Sequence, residues 1–124
     1  MAQVLVVDDE PGIRAVVREL LESRGHQITE AADGHAAFRL IRERPFDLVV
    51  CDIRMPAWDG LEAIRNSSLV CPGTRFLVLS AFLDDKVKDA LDQAGNVLGH
   101  LDKPFDAEEL ARIVEALSDP DWMS

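Results

Sequence analysis

The chain has 124 residues, 48% of them hydrophobic and 29% charged, with a formal net charge of −10. That length suits one domain with its own core and no need of disulfides, and the composition is that of a globular rather than a disordered chain. So acidic a surface disfavours nucleic acid and anionic membranes as partners. No apolar run approaches a membrane span, and no signal peptide precedes the first strand, so the cytoplasm is the expected compartment.

The first apolar run is Val4-Leu5-Val6-Val7, and Asp8 and Asp9 follow it. Pro11 suits the first turn of a helix whose apolar face takes Ile13, Val16, Val17, Leu20 and Leu21, and Gly25 ends it. Gln27 to Ala31 alternates polar and apolar, as an edge strand does. Asp33-Gly34 opens a second helix carrying Ala37, Leu40 and Ile41, with Pro45 after its end. Leu48-Val49-Val50-Cys51 is a third strand, followed at once by Asp52. Cys51 reads as a small buried hydrophobe, and Cys71 lies in a loop-like Val-Cys-Pro-Gly; neither has metal-type spacing.

Met55 to Asp59 is predicted as a loop, with Asp59 and Glu62 a capping pair for a helix that buries Leu61 and Ile64. Pro72-Gly73 marks a turn before a strand at Phe76-Leu77-Val78-Leu79, and Ser80 follows that strand. Asp84 opens a helix with Val87, Ala90, Leu91 and Ala94 on one side. Val97 to Leu101 is a weaker strand. Asp106 and Glu109 form a second capping pair, and the last helix buries Leu110, Ile113, Val114 and Leu117. Residues 1–118 form one domain on this reading, and 119–124 a short polar tail.

Five strand–helix units in strict alternation predict an α/β fold, a doubly wound parallel sheet with helices on both faces. Three runs lack alternation, as strands buried on both faces do, and the two weaker ones are predicted at the edges. Ligand sites in such sheets lie beyond the carboxyl ends of the strands. Asp8, Asp9, Asp52, Ser80 and Lys103 all fall there. Three carboxylates brought together repel unless a cation sits among them, and Mg²⁺ is a hard ion that takes oxygen ligands. Lys103 adds a point charge suited to phosphate and Ser80 a hydroxyl donor. These are parts that stabilise a phosphoryl group in transfer, and Asp52 is a candidate nucleophile. Taken singly, Asp8-Asp9 could cap the first helix, Asp52 could be a turn residue, and Lys103 a surface lysine.

Four segments, Val7-Asp8-Asp9-Glu10, Asp52 through Gly60, Leu79-Ser80-Ala81 and Lys103-Pro104-Phe105, resemble the response-regulator receiver domain (CheY-like) of two-component signalling. The resemblance runs from about Val4 to Leu117. It implies strand order 2-1-3-4-5 and a phosphoacceptor role for Asp52, fed by a phosphohistidine on a sensor histidine kinase or phosphotransfer protein. It implies Mg²⁺ (or Mn²⁺) held by Asp9 and Asp52 directly, by Asp8 through water and by the Arg54 backbone carbonyl. Lys103, Ser80 and the backbone N–H of Ala81 would take the phosphoryl oxygens, and the Lys103–Pro104 bond would be cis. Ser80 and His100 would form the switch that alters the face of the last two helices and the strand between them, read by a downstream protein partner or effector domain. Such a protein catalyses only its own phosphorylation and dephosphorylation.

Three departures from the family pattern stand out. His100 occupies a position usually aromatic, and Asn96 stands where a glycine is common. The acidic residues that secure dimers of many transcription-factor receivers are missing. They motivate an alternative, a receiver-like interaction module that works without phosphorylation. A flavin carrier would need a hydroxyl- and glycine-rich loop after Val7, which is lacking; a Mg²⁺-dependent phosphatase would turn over added phosphoesters.

Overall fold

The structure is a computed structural model and describes residues 2–52, 54, 55, 58, 59, 73–80, 85, 88, 89 and 97–118. Five strands form one parallel sheet: β1 (Gln3–Val7), β2 (Gln27–Ala31), β3 (Leu48–Asp52), β6 (Phe76–Ser80) and β7 (Val97–Asp102). Between β3 and β6 lie two short strands, β4 (Arg54–Met55) and β5 (Trp58–Asp59), which pair antiparallel as a separate hairpin. The helices described in full are α1 (Pro11–Ser23), α2 (Gly34–Glu43) and α3 (Ala107–Ser118).

The order β2-β1-β3-β6-β7 is the predicted 2-1-3-4-5 arrangement. The two weaker runs, β2 and β7, are the edges. Val4 to Val7, and every residue of β3 and β6, are buried. Successive side chains point to opposite faces of a sheet, and the core divides accordingly. Leu5, Val7, Val49, Cys51, Phe76 and Val78 pack with Ala37 and Ile41 of α2. Val4, Val6, Val50, Leu77 and Leu79 pack with Val17 and Leu21 of α1 and with Leu110, Val114 and Leu117 of α3. Each fully buried aliphatic side chain stabilises the fold by about 1.5–3 kcal/mol.

The local signals explain the helix ends. Pro11 begins α1, whose N-cap residue Glu10 makes no side-chain cap bond. At the other end the Gly25 N–H donates to the Glu22 carbonyl (3.0 Å) and the His26 N–H to that of Leu21 (3.2 Å), with Gly25 at φ 91°. This is a Schellman stop, which needs the left-handed backbone that glycine supplies without strain. Asp33 caps α2 by accepting the Ala36 N–H at 2.8 Å. The Asp106 carboxylate accepts the N–H groups of Glu108 (2.8 Å) and Glu109 (3.3 Å), starting α3.

Three details differ from the sequence expectation. The Met55–Asp59 loop carries the β4–β5 hairpin. Asp52, Ser80 and Asp102 close their strands rather than follow them. Val16 is 56% exposed; at about 100° per residue it lies a quarter turn from the line through Val17 that meets the sheet. Asp85, Lys88 and Asp89 are helical, in the segment predicted as the Asp84 helix. The rest of that helix, the Leu61–Ile64 helix with Glu62, and Cys71, Ala81, Phe82, Asn96, Trp122 and the 119–124 tail lie outside the described residues, as do the side chains of Arg54 and Trp58.

Candidate functional site

The carboxyl ends of β1, β3, β6 and β7 bring together the residues that the sequence had scattered. Asp8 leaves β1 still tied to the sheet, its N–H donating to the Ala31 carbonyl at 3.2 Å. Its carbonyl accepts from Arg14 Nη1 at 2.7 Å, and its Oδ1 accepts the Glu10 N–H at 3.0 Å. Those bonds fix the side chain, which is only 1% exposed, and leave Oδ2 facing Lys103 Nζ at 2.9 Å. Asp52 ends β3, also buried, and its Oδ2 lies 3.1 Å from the same Nζ. One ammonium therefore bridges two buried carboxylates from different strands.

Lys103 is set by its backbone as well. Its N–H donates to the Ser80 carbonyl at 2.8 Å, and the Lys103–Pro104 peptide is cis. Burial by itself would lower the ammonium pKa, but hydrogen bonds to Asp8 and Asp52, with their charges, outweigh it and leave the pKa raised. The lysine stays charged throughout the physiological range. Glu10 Oε1 stands 3.9 Å from Nζ. Carboxylate oxygens of Asp8, Asp9, Glu10 and Asp52 all lie within 4.8 Å of one another. Capping is not the role of this cluster, because α1 begins on Pro11 without a side-chain cap.

The donor set is made of hard oxygens, and among the described residues no imidazole or thiolate enters it. Cys51 is adjacent, but its thiol donates to the Asp52 carbonyl at 3.3 Å. Burial, reinforced by the negative charges of Asp52 and Asp8, pushes its pKa up to about 12, so it remains a thiol and no soft ligand. Clustered carboxylates of this kind fit Mg²⁺ or Mn²⁺ and do not fit zinc or copper.

Of the residues singled out in the sequence, Asp8, Asp9, Asp52 and Lys103 converge. Ser80 is fully buried at the end of β6, where its backbone carries Lys103. His100 lies on β7 opposite Val78 and is exposed. The Arg54 backbone belongs to β4, paired with Asp59. Glu10 joins the cluster although the sequence reading gave it no role. Its signal was its place directly after Asp8-Asp9.

Comparison with known proteins agrees with this geometry. Residues 4–115 match the model of the response regulator receiver domain. The chain is 31% identical over 115 residues to the sporulation initiation phosphotransferase F of Bacillus subtilis, covering 91% of this chain and 90% of that protein. It is 33% identical over 112 residues to the transcriptional regulatory protein ZraR of Salmonella typhimurium, covering 90% of this chain but 25% of that protein. Among solved structures, chemotaxis protein CheY4 of Vibrio cholerae superimposes with a TM-score of 0.86 at 30% identity, covering 94% of this chain and 98% of that one. Response regulator TrrA of Thermotoga maritima, solved in complex with Mg(2+)-BeF, superimposes with a TM-score of 0.82 at 30% identity, covering 94% and 99%. The chain belongs to the response regulator receiver domain family, the receiving module of two-component signalling.

Proposed function

We propose that Asp52 accepts a phosphoryl group from a phosphohistidine of a sensor histidine kinase or phosphotransfer protein. The observation that carries this reading is the Lys103 ammonium held 2.9 Å from Asp8 and 3.1 Å from Asp52 inside a four-carboxylate cluster. An Asp52 carboxylate oxygen attacks phosphorus, the P–N bond to the donor imidazole breaks, and the imidazole nitrogen keeps the electron pair and is protonated. Lys103, permanently charged, neutralises the phosphoryl oxygens as they arrive beside Asp52. Ser80, buried at the next strand end, and the Ala81 N–H are assigned to the remaining oxygens.

Asp9 and Asp52, with Asp8 through water and the Arg54 carbonyl, are the residues assigned to Mg²⁺ or Mn²⁺; Glu10 lies close enough to join them. The bound cation would supply charge neutralisation among the carboxylates and the phosphoryl oxygens. Asp8 keeps its orientation through the Glu10 N–H and Arg14. Water attack on the acyl phosphate resets Asp52, so the only catalysis proposed is on the protein itself.

Ser80 and His100 are the proposed switch, shifting populations of the surface around β7 and α3 for a downstream protein or effector domain. Residues 1–118 are taken as the receiver unit and 119–124 as a tail, which suits an α3 that ends at Ser118. Among the described residues no helix is long and apolar enough to cross a membrane. The cytoplasm is the proposed compartment, a setting that suits the free thiol of Cys51.

Intact-mass spectrometry after incubation with a small acyl phosphate and Mg²⁺ tests the proposal. One added phosphoryl mass in wild type and none in Asp52→Asn is the expected result. No mass gain would leave the phosphorylation-independent module as the better reading, and a gain that survives the substitution would overturn Asp52 as the acceptor.

A further inference from the structure

The carboxylate pocket uses one end of the sheet. The other end, about 13 Å away along β3, carries a groove of about 440 Å³ where α2 runs into β3 and where a turn leads into β6. Arg42, Glu43, Arg44, Pro45, Phe46 and Thr74 are among its walls. A second depression of about 300 Å³, lined by Arg39, Arg42 and Glu43, continues along α2.

Arg39, Arg42 and Arg44 fall within six residues of a chain whose net charge is −10. All three are exposed. The arginines of α1 and its C-cap are each spent on a carboxylate: Arg14 on Glu30 at 3.3 Å, Arg18 on Glu22 at 3.0 Å and Glu30 at 2.7 Å, Arg24 on Glu108 at 2.6 Å. Among the described residues the three at the groove and the adjoining depression have no such partner, and Glu43, which lines both, pairs with none of them. Two of them are nonetheless held. The Arg42 guanidinium lies 5.6 Å from the Phe38 ring centre and that of Arg44 5.3 Å from the Phe46 ring centre. Arg44 also donates to Thr29 Oγ1 at 2.9 Å. Aromatic stacking and a hydroxyl orient a guanidinium without cancelling its charge. The dipole of α2 accounts for Arg42 in its last turn. It does not account for Arg39, a turn earlier, or for Arg44, past the helix end.

We infer that this groove is a docking site for a short acidic protein segment carrying an apolar side chain. The guanidiniums would take its carboxylates, and Ile41, Pro45 and Phe46 its apolar residue. The net charge selects this occupant. A long polyanion such as nucleic acid, or an anionic bilayer, would meet the acidic remainder of the surface, whereas a short segment lies within about 8 Å of the arginines, the screening length at physiological salt. Because the groove is at the amino ends of the strands, docking there is separate from the carboxylate pocket and serves as a tether in either phosphorylation state.

The test uses the full chain and a fluorescein-labelled dodecapeptide of alternating Glu and Leu, read by anisotropy and by amide chemical shifts. Saturable binding is expected, weakening with salt and unchanged in Asp52→Asn, with shifts clustered at 39–46 and 73–74. Affinity should fall about tenfold or more when Arg39, Arg42 and Arg44 are all changed to Gln; Arg42→Gln alone, with a smaller loss, serves if the triple variant does not fold. No binding at low salt, equal affinity of the Gln variant, or shifts confined to the carboxylate pocket would overturn the inference. So would tighter Arg-dependent binding to phosphatidylserine vesicles or single-stranded DNA, which would make the site one for a membrane or a nucleic acid.

Discussion

Two of the places where the described residues bury polar side chains are resolved in opposite ways. At the carboxyl end of the sheet Asp8, Asp52 and Lys103 share two short ion pairs. At the opposite end of α1, His26 is buried and neither ring nitrogen finds a hydrogen-bond partner. The first arrangement is expensive to desolvate and is compensated by pairing; the second is simply a cost, met by the Schellman turn and the packing around it. Compensated charge is a place to look for chemistry, and an orphaned imidazole is a place to look for lost stability.

Removing one member of each place should separate them. Lys103→Met leaves two buried carboxylates facing each other, and urea denaturation without divalent ions should show a loss of about 3 kcal/mol. A change near zero would mean that the ammonium does not hold the pocket together. Divalent binding comes next. Mg²⁺ at about a hundred times its dissociation constant should stabilise wild type by about 2.7 kcal/mol, and thermal melts of Asp9→Ala should show most of that gain gone.

His26 should behave in the reverse sense. Burial lowers its pKa, against the smaller opposing pull of Glu115. The unfolded chain therefore takes up a proton that the folded protein refuses. Stability should be complete above about pH 6.5 and fall as pH drops below it. His26→Leu should add about 1 kcal/mol near neutrality and remove that part of the acid sensitivity, seen in melts from pH 7.5 to 5. Stability that rises on acidification would contradict the assignment. The smallest effect belongs to Cys51. In a Cys71→Ser background its thiol, with a pKa near 12, should resist alkylation at pH 8 until denaturant is added.

The sheet was readable because its three inner strands are unbroken apolar runs and the two edge strands are weaker ones, of which Gln27–Ala31 alternates. The strand ends then delivered Asp8, Asp52 and Lys103 without further assumption. The β4–β5 hairpin was not readable, since two-residue strands have no period to detect. Val16 was misplaced because a five-residue apolar stripe is wider than the contact it makes. Glu10 escaped notice because its closeness to Lys103 depends on how the chain turns after Asp8. The orphaned nitrogens of His26, and the contrast between the arginines of α1 and its C-cap, paired with carboxylates, and those of α2 and its C-cap, which are not, exist only in three dimensions.

The central claim, that Asp52 is the acceptor, is met most directly by trapping. Borohydride reduces an aspartyl phosphate to homoserine, so protein treated with an acyl phosphate and Mg²⁺, then reduced and digested, marks the residue that carried phosphorus. Homoserine at position 52, absent when Mg²⁺ is chelated, is the expected result. Homoserine at another aspartate, or none while phosphoryl mass is present, would contradict it.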